Sequence, residues 1–124
     1  MAMEVAYKNY SLIRKRVDDL LNMLMLSDKS QAKVSKLSRG EQQRVAIARA
    51  AANAPPIMLA DEPTGNLDRK ISQQVMALFQ QLNDGGSTIV IATHDEAIYQ
   101  DSPHKLLELR RGKLITLRPG LFCE

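Results

Sequence analysis

The 124 residues suffice for one domain and hardly for two, and 44% hydrophobic with 25% charged residues excludes wholesale disorder. A formal charge of +3, with no interleaving of aromatic and basic residues, argues against a nucleic-acid partner. The single Cys123 favours a reducing compartment, and neither a secretory signal nor a membrane-spanning run is present in the sequence. We therefore expect a cytoplasmic chain.

Charge is unevenly distributed along the chain. Residues 1–50 hold 10 Lys and Arg against 5 Asp and Glu, a net +5, and residues 51–124 hold 7 against 9, a net −2. The basic part suits a phosphate or an anionic surface, and the acidic part suits a divalent cation. Ordinary solvated faces produce the same distribution, so charge alone selects neither reading.

The first predicted element is an amphipathic helix over about residues 11–26. Its apolar residues recur at helical spacing and form one stripe, which consists of Ile13, Val17, Leu20, Leu21 and Leu24. Residues 27–36 are polar and of mixed charge, which predicts a connector.

The second predicted helix begins within residues 37–44, Leu-Ser-Arg-Gly-Glu-Gln-Gln-Arg. Ser38 and Glu41 have capping-box spacing, so Ser38 can accept a hydrogen bond from a first-turn amide while the Glu41 side chain reaches back. A well-capped helix is one reading of this segment. The other is an anion site, because Gly40 permits close approach of a phosphate to the amides at the positive helix end. Pro55 and Pro56 end the helix.

The middle of the chain predicts a parallel βαβ unit, buried on both faces. Residues 57–60 and Thr88–Ala92 are short apolar strands. Between them Asp68 can cap a helix that ends at Gly85 and Gly86. The core stripe of that helix consists of Ile71, Val75, Leu78, Phe79 and Leu82. Further on, two apolar runs flanking residues 110–113 predict a β-hairpin.

Polar residues follow both predicted strands. Asp61 and Glu62 come directly after the first strand, and His94 follows the second. Carboxylates at the carboxyl edge of a parallel sheet are typical of ligand sites, although an ordinary solvated turn can contain the same residue types. A lone histidine at a strand end is by itself more often structural. His104 has no supporting motif, and we expect it to be a surface loop residue.

Three segments, taken in order, resemble the second half of an ABC-type ATPase. They are residues 37–44, residues 57–68 (Ile-Met-Leu-Ala-Asp-Glu-Pro-Thr-Gly-Asn-Leu-Asp) and Thr93-His94-Asp95. Glu41 followed by Gln-Gln-Arg is similar to the signature variant of one branch of this family, which contains the lipoprotein-releasing, macrolide-exporter and cell-division ATPases. The resemblance implies an α/β fold: a partial phosphate-loop NTPase fold, with part of the helical subdomain, an incomplete parallel-sheet core and a C-terminal hairpin. It implies one partial domain over 1–124, with a helical signature part at 1–52 and a second part at 53–124.

The resemblance also assigns nucleotide contacts. The family's signature segment grips the γ-phosphate of ATP held by the opposite subunit, which implies this role for Ser38, Arg39, Gly40 and Glu41. Arg39 stands where the family commonly has glycine, and its side chain can either obstruct closure or add charge to the phosphate. Asp68 corresponds to a residue at the dimer seam.

By the same resemblance, Asp61 faces Mg²⁺, Glu62 orients or deprotonates the attacking water, and His94 hydrogen-bonds the γ-phosphate. The implied cofactors are ATP and Mg²⁺. The implied partners are a membrane permease of the ABC type and a second ATP-binding subunit. The implied location is peripheral to the inner or plasma membrane, on the cytoplasmic side.

The sequence contains no Gly-x-x-x-x-Gly-Lys-[Ser/Thr] phosphate loop. Around its sole Gly112-Lys113 pair, Leu107 occupies the position of the first glycine and Leu114 that of the hydroxyl residue. We therefore expect a truncated ATP-binding subunit that does not turn over ATP alone. The alternatives are a non-catalytic module that pairs with a complete ATPase, and an inert gene fragment.

Overall fold

The computed structural model of the chain describes residues 10–29 and 33–119, and Cys123 lies outside them. The chain divides into two compact units, Met1–Ala92 and Thr93–Glu124, called here the first and second units. Within the described residues, no helix combines the length and the apolar character that a membrane crossing requires.

The first unit begins with helix α1 (Tyr10–Met23), two 3-10 turns (Ser27–Lys29 and Val34–Lys36) and helix α2 (Arg39–Ala51). Helix α1 ends three residues before the predicted position, and Met25 has a left-handed φ of 60°. Arg44 of α2 donates from Nη1 to the carbonyl of Leu24 at 2.7 Å, so a cation lies at the C-terminal end of α1. Leu24 and Leu26 are nevertheless buried, because the chain beyond the helix still packs into the core.

The predicted βαβ unit is present and parallel. It consists of strand β1 (Ile57–Asp61), helix α3 (Arg69–Asp84) and strand β2 (Thr88–Ala92). The strands pair from Ile57 opposite Thr88 to Asp61 opposite Ala92, so both end at the same level. The predicted stripe of α3 forms the centre of the core, with Val75, Leu78, Phe79 and Leu82 buried.

The prediction that this sheet is buried on both faces is wrong. Met58 is buried, and Ala60, Ile89 and Ile91 pack against the core from the same face. On the opposite face Leu59 is 75% exposed and Val90 52% exposed. One face of the sheet therefore belongs to the core of the first unit, and the other presents exposed apolar side chains.

The second unit holds helix α4 (Glu96–Tyr99) and an antiparallel hairpin of β3 (Leu106–Arg110) and β4 (Lys113–Arg118). Arg111 and Gly112 form a two-residue turn with φ of 48° and 77°, which matches the twist of a hairpin. Arg118 donates to the carbonyls of Tyr99 and Gln100 and so links β4 to the end of α4. The predicted hairpin is confirmed.

Candidate functional site

The first part of the site is the N-terminus of α2. Ser38 has extended backbone, and its hydroxyl accepts a hydrogen bond from the Glu41 amide at 3.2 Å, so the Ser38 half of the predicted capping box is confirmed. Ser38 and Arg39 are exposed, and Gly40 and Glu41 are half-buried. The positive end of a 13-residue helix therefore faces solvent, where an anion can approach its first-turn amides.

The second part is the carboxylate pair at the end of the parallel sheet. Asp61 is the last residue of β1 and is exposed. The amide of Glu62 continues the pairing by donating to the Ala92 carbonyl at 2.8 Å. Glu62 then takes a left-handed φ of 46°, which turns the chain sharply away from the strand direction. Both acidic residues thus lie at the carboxyl edge of the sheet, as the sequence predicts.

The turn after these carboxylates is compact. Pro63 and Thr64 are buried, the Gly65 amide donates to the Glu62 carbonyl at 3.1 Å, and the Leu67 amide donates to the Thr64 carbonyl at 3.2 Å. Asp68 ends the turn and caps α3, because its Oδ1 accepts from the Ile71 amide at 2.8 Å. The capping role predicted for Asp68 is therefore confirmed, and its place at a dimer seam stays a prediction.

Gln43 brings the two parts together. Its side-chain amide Nε2 donates to the Pro63 carbonyl at 2.7 Å and to the Glu62 carbonyl at 3.1 Å. One helical turn earlier, a Cβ on Gly40 would stand 3.3 Å from the Leu67 side chain, so the absence of a side chain lets the helix lie close to the turn.

Sequence reasoning assigned no role to Gln43. A signal was available, because Gln43 precedes the buried Ile47 and Ala51 at spacings of four residues. A polar side chain on a buried helical stripe predicts a hydrogen-bond partner.

His94 belongs to the second unit and is exposed. It lies two residues beyond the end of β2, and the following Asp95 caps α4 by accepting from the Ala97 amide at 3.0 Å. Its sequence position after β2 agrees with the prediction. Its placement beside the carboxylates stays a prediction.

The described part of the chain contains no group of three His, Cys, Asp or Glu side chains arranged to hold a metal ion. Asp61 offers exposed carboxylate oxygens at the end of β1, and its role as a magnesium ligand stays a prediction. Magnesium suits such a site, because it keeps several waters and combines one or two carboxylates with the phosphates of a substrate. The exposed oxygen donors of Asp61 are compatible with that kind of coordination.

The fold places the chain in a class of known proteins. The dimeric structure of a post-hydrolysis state of the ATP-binding cassette MJ0796, bound to ADP and Pi, matches with a TM-score of 0.75 and 39% identity, over 90% of this chain and 50% of that chain. The fold is that of ABC ATPase cassettes, a phosphate-loop NTPase fold of which this chain forms about half. The fold predicted from the sequence is confirmed.

The family model for the ABC transporter matches residues 3–65. FtsE of Mycobacterium tuberculosis, a cell division ATP-binding protein, is 44% identical over 92% of this chain and 50% of its own length. LolD of Aquifex aeolicus, a lipoprotein-releasing system ATP-binding protein, is 47% identical over 82% of this chain and 45% of its own length. The chain belongs to the ABC transporter family, as part of the ATP-binding domain. It spans about half the length of the curated relatives it matches.

Proposed function

We propose that this chain is the signature-bearing part of an ABC transporter ATP-binding subunit, which hydrolyses ATP with Mg²⁺ when a phosphate-loop segment completes it. The observation that carries the proposal is the position of Asp61 and Glu62 at the carboxyl edge of a parallel sheet, in contact through their turn with the helix that follows Ser38. Membership of the family supports the same conclusion.

In this proposal the N-terminus of α2 binds the γ-phosphate of ATP held by a second subunit. The first-turn amides after Ser38 supply hydrogen-bond donors, and the helix end supplies positive potential. Arg39 and Gly40 border the approach, and the amide of Glu41 donates to the Ser38 hydroxyl. Asp68 would lie at the seam between the two subunits. The dimeric state of the MJ0796 cassette supports a paired arrangement.

At the sheet edge, Asp61 would hold Mg²⁺ and so help to neutralise the charge of the phosphates. Glu62 would orient the attacking water and accept its proton, and His94 would donate to or accept from the γ-phosphate. The ADP and Pi in the MJ0796 structure support a nucleotide as substrate.

The proposed partners are a membrane permease and a second ATP-binding subunit. We infer a position on the cytoplasmic face of the membrane, where the chain is peripheral and held through the permease. The matching family model, that of an ABC transporter, supports a permease as partner, and the relatives named above are ATP-binding proteins.

The experiment supplies the nucleotide cradle in trans. Residues 1–124 alone should show negligible Mg-ATPase activity, because no phosphate loop within them holds the substrate. Co-expression with the N-terminal segment of a related ATPase, which carries a phosphate loop, should restore both ATP binding and turnover. Glu62→Gln should then abolish turnover and leave ATP binding intact. The matched control is Glu108→Gln, which removes only a surface ion pair with Arg110 and should change neither.

The other readings of the sequence predict different results. A non-catalytic module would bind the supplied segment and restore ATP binding without turnover. An inert fragment would restore neither. Turnover by residues 1–124 alone that disappears in Glu62→Gln would contradict the need for a supplied phosphate loop.

Arg39 is tested in the same assembly. We expect Arg39→Gly to give equal or greater activity, because glycine removes bulk where a phosphate must approach the backbone. Arg49→Gly is unsuitable as a control, since Arg49 lies inside α2, where glycine destabilises the helix. Arg39→Ala is the better comparison, and it should resemble Arg39→Gly. A large loss of activity in both variants would identify the arginine as a phosphate ligand.

A further inference from the structure

The turn that carries the candidate water-activating carboxylate presents two consecutive carbonyl acceptors to one side-chain amide. Glu62 and Pro63 both accept from Gln43 Nε2, at 3.1 and 2.7 Å. An amide NH₂ carries two hydrogens on one nitrogen, so it can satisfy both carbonyls at once. Few side chains of this length offer that donor pattern, because a hydroxyl has one hydrogen and a carboxylate has none.

The backbone of this turn needs support from outside itself. Glu62 and Asn66 both have left-handed φ values, 46° and 61°; asparagine tolerates this conformation, but a glutamate adopts it only at an energetic cost. Pro63 has no amide hydrogen and adds no donor of its own. Within the turn, the amides of Gly65 and Leu67 donate to carbonyls of Glu62 and Thr64. Gln43 supplies the restraint from a rigid helix.

The contact between helix and turn extends over one helical turn. Gly40 and Gln43 are three residues apart and lie on the same side of α2. Gly40 faces the Leu67 side chain closely enough that a Cβ would stand 3.3 Å from its Cδ2. The beginning and the end of the turn are therefore both held against α2, the helix whose N-terminus is the candidate phosphate site.

We infer that Gln43 is a positioning residue that clamps the turn after Asp61 to helix α2. The clamp keeps Glu62 in its left-handed conformation, and it makes the phosphate-binding helix end and the carboxylate move as one body. The catalytic meaning of the clamp rests on the proposed function of Glu62. The clamp itself is a property of the folded first unit and is measurable without nucleotide.

The first test is amide hydrogen exchange on the full chain. In Gln43→Met, which keeps the side-chain length but loses both donors, the Gly65 and Leu67 amides should exchange about tenfold faster or more, from the loss of two hydrogen bonds. Gln43→Glu should exchange faster still, because a carboxylate faces two carbonyl oxygens. Gln42→Met is the matched control, since Gln42 donates to the Leu37 carbonyl within its own segment. It should leave both amides within about twofold of the unmodified chain.

Two exchange results would overturn the clamp. One is equal protection of Gly65 and Leu67 in the unmodified chain, Gln43→Met and Gln43→Glu, which is what a purely space-filling role predicts. The other is an absence of protection at these amides in the unmodified chain, provided that the amides of α3 are protected. The same α3 amides distinguish global from local loss of protection in a Gln43 variant. They stay protected if only the turn opens, and they exchange faster if the whole first unit unfolds.

The second test uses the assembly with the phosphate-loop segment. Gln43→Glu and Gln43→Met should lower kcat by about tenfold or more and leave KM for ATP nearly unchanged, because the nucleotide cradle is intact and only the carboxylate is displaced. Glu108→Gln, the surface control used above, should keep both parameters. An unchanged kcat in Gln43→Met would overturn the positioning role. An assembly without any turnover would count against the proposed function, while the exchange result would still decide whether the clamp exists.

Discussion

The two units of this chain are stabilised in different ways. All residues that are buried among those described, such as Leu78 and Val75, belong to the first unit, where residues of the helices and of one face of the parallel sheet share a hydrophobic core. In the described part of the second unit, no residue is buried. That unit depends on the β3–β4 hydrogen bonds, the Asp95 cap and the bonds from Arg118 to the end of α4. The first unit has a hydrophobic core, and the second has backbone pairing.

This difference separates the candidate catalytic residues. Asp61 and Glu62 belong to the unit that has a core, and His94 belongs to the unit that lacks one. A two-stranded hairpin is marginally stable by itself in water. We therefore expect the carboxylates to stay ordered under conditions in which the segment around His94 opens. A substitution in one unit should then change the stability of that unit alone.

The largest expected effect comes from the same substitution made in each unit. Leu78 is 1% exposed and Leu114 is 70% exposed. Leu78→Ala should lower the free energy of unfolding of the first unit by about 2–5 kcal/mol, since it removes buried methyl groups and leaves a cavity. Leu114→Ala should change it by less than about 0.5 kcal/mol. Denaturant titration followed by circular dichroism measures both. A similar loss of unfolding free energy in the two variants would show that Leu114 is buried against protein in solution.

The two faces of the parallel sheet give the next comparison, within a single strand. Met58 is 5% exposed, whereas its neighbour Leu59 points to the open face. Met58→Thr should destabilise the first unit by about 1–3 kcal/mol, because it places a hydroxyl in the core. Leu59→Thr should leave stability nearly unchanged.

The open face also predicts association. The unmodified chain should self-associate or bind a hydrophobic dye, because Leu59 and Val90 expose apolar surface beside a sheet edge. Leu59→Thr should reduce both signals, as measured by size-exclusion chromatography and dye fluorescence. A cooperative melt of a monomer that binds no dye would contradict this prediction.

The smallest effect compares two helix caps. Asp68 caps the 16-residue α3 in the first unit, and Asp95 caps the four-residue α4 in the second. Asp68→Ala should cost the first unit about 1 kcal/mol. Asp95→Ala should leave the unfolding of the first unit unchanged and speed amide exchange at Ala97 alone. Loss of first-unit stability in Asp95→Ala would show that the two units unfold together.

Local features of this protein were predictable from the sequence. The caps at Ser38 and Asp68, the stripe of α3 and the parallel pairing of two apolar strands are all present. These features depend on interactions within about four residues or on the periodicity of one element, which the order of residues carries directly. The order of the motifs along the chain also indicates the ABC transporter family without any geometry.

Three features were decided by the tertiary structure. The sequence could not tell which face of the sheet is covered, because alternate apolar residues such as Met58 and Leu59 have the same hydrophobic character and differ only in what packs against them. Nor could it show the left-handed φ of Glu62, because this conformation is uncommon for a glutamate and the surrounding residues carry no signal for it. The hydrogen bonds from Gln43 to Glu62 and Pro63 span 19 and 20 residues. Such contacts form only when the helix packs against the turn that follows β1, so they cannot be predicted from the order of residues alone.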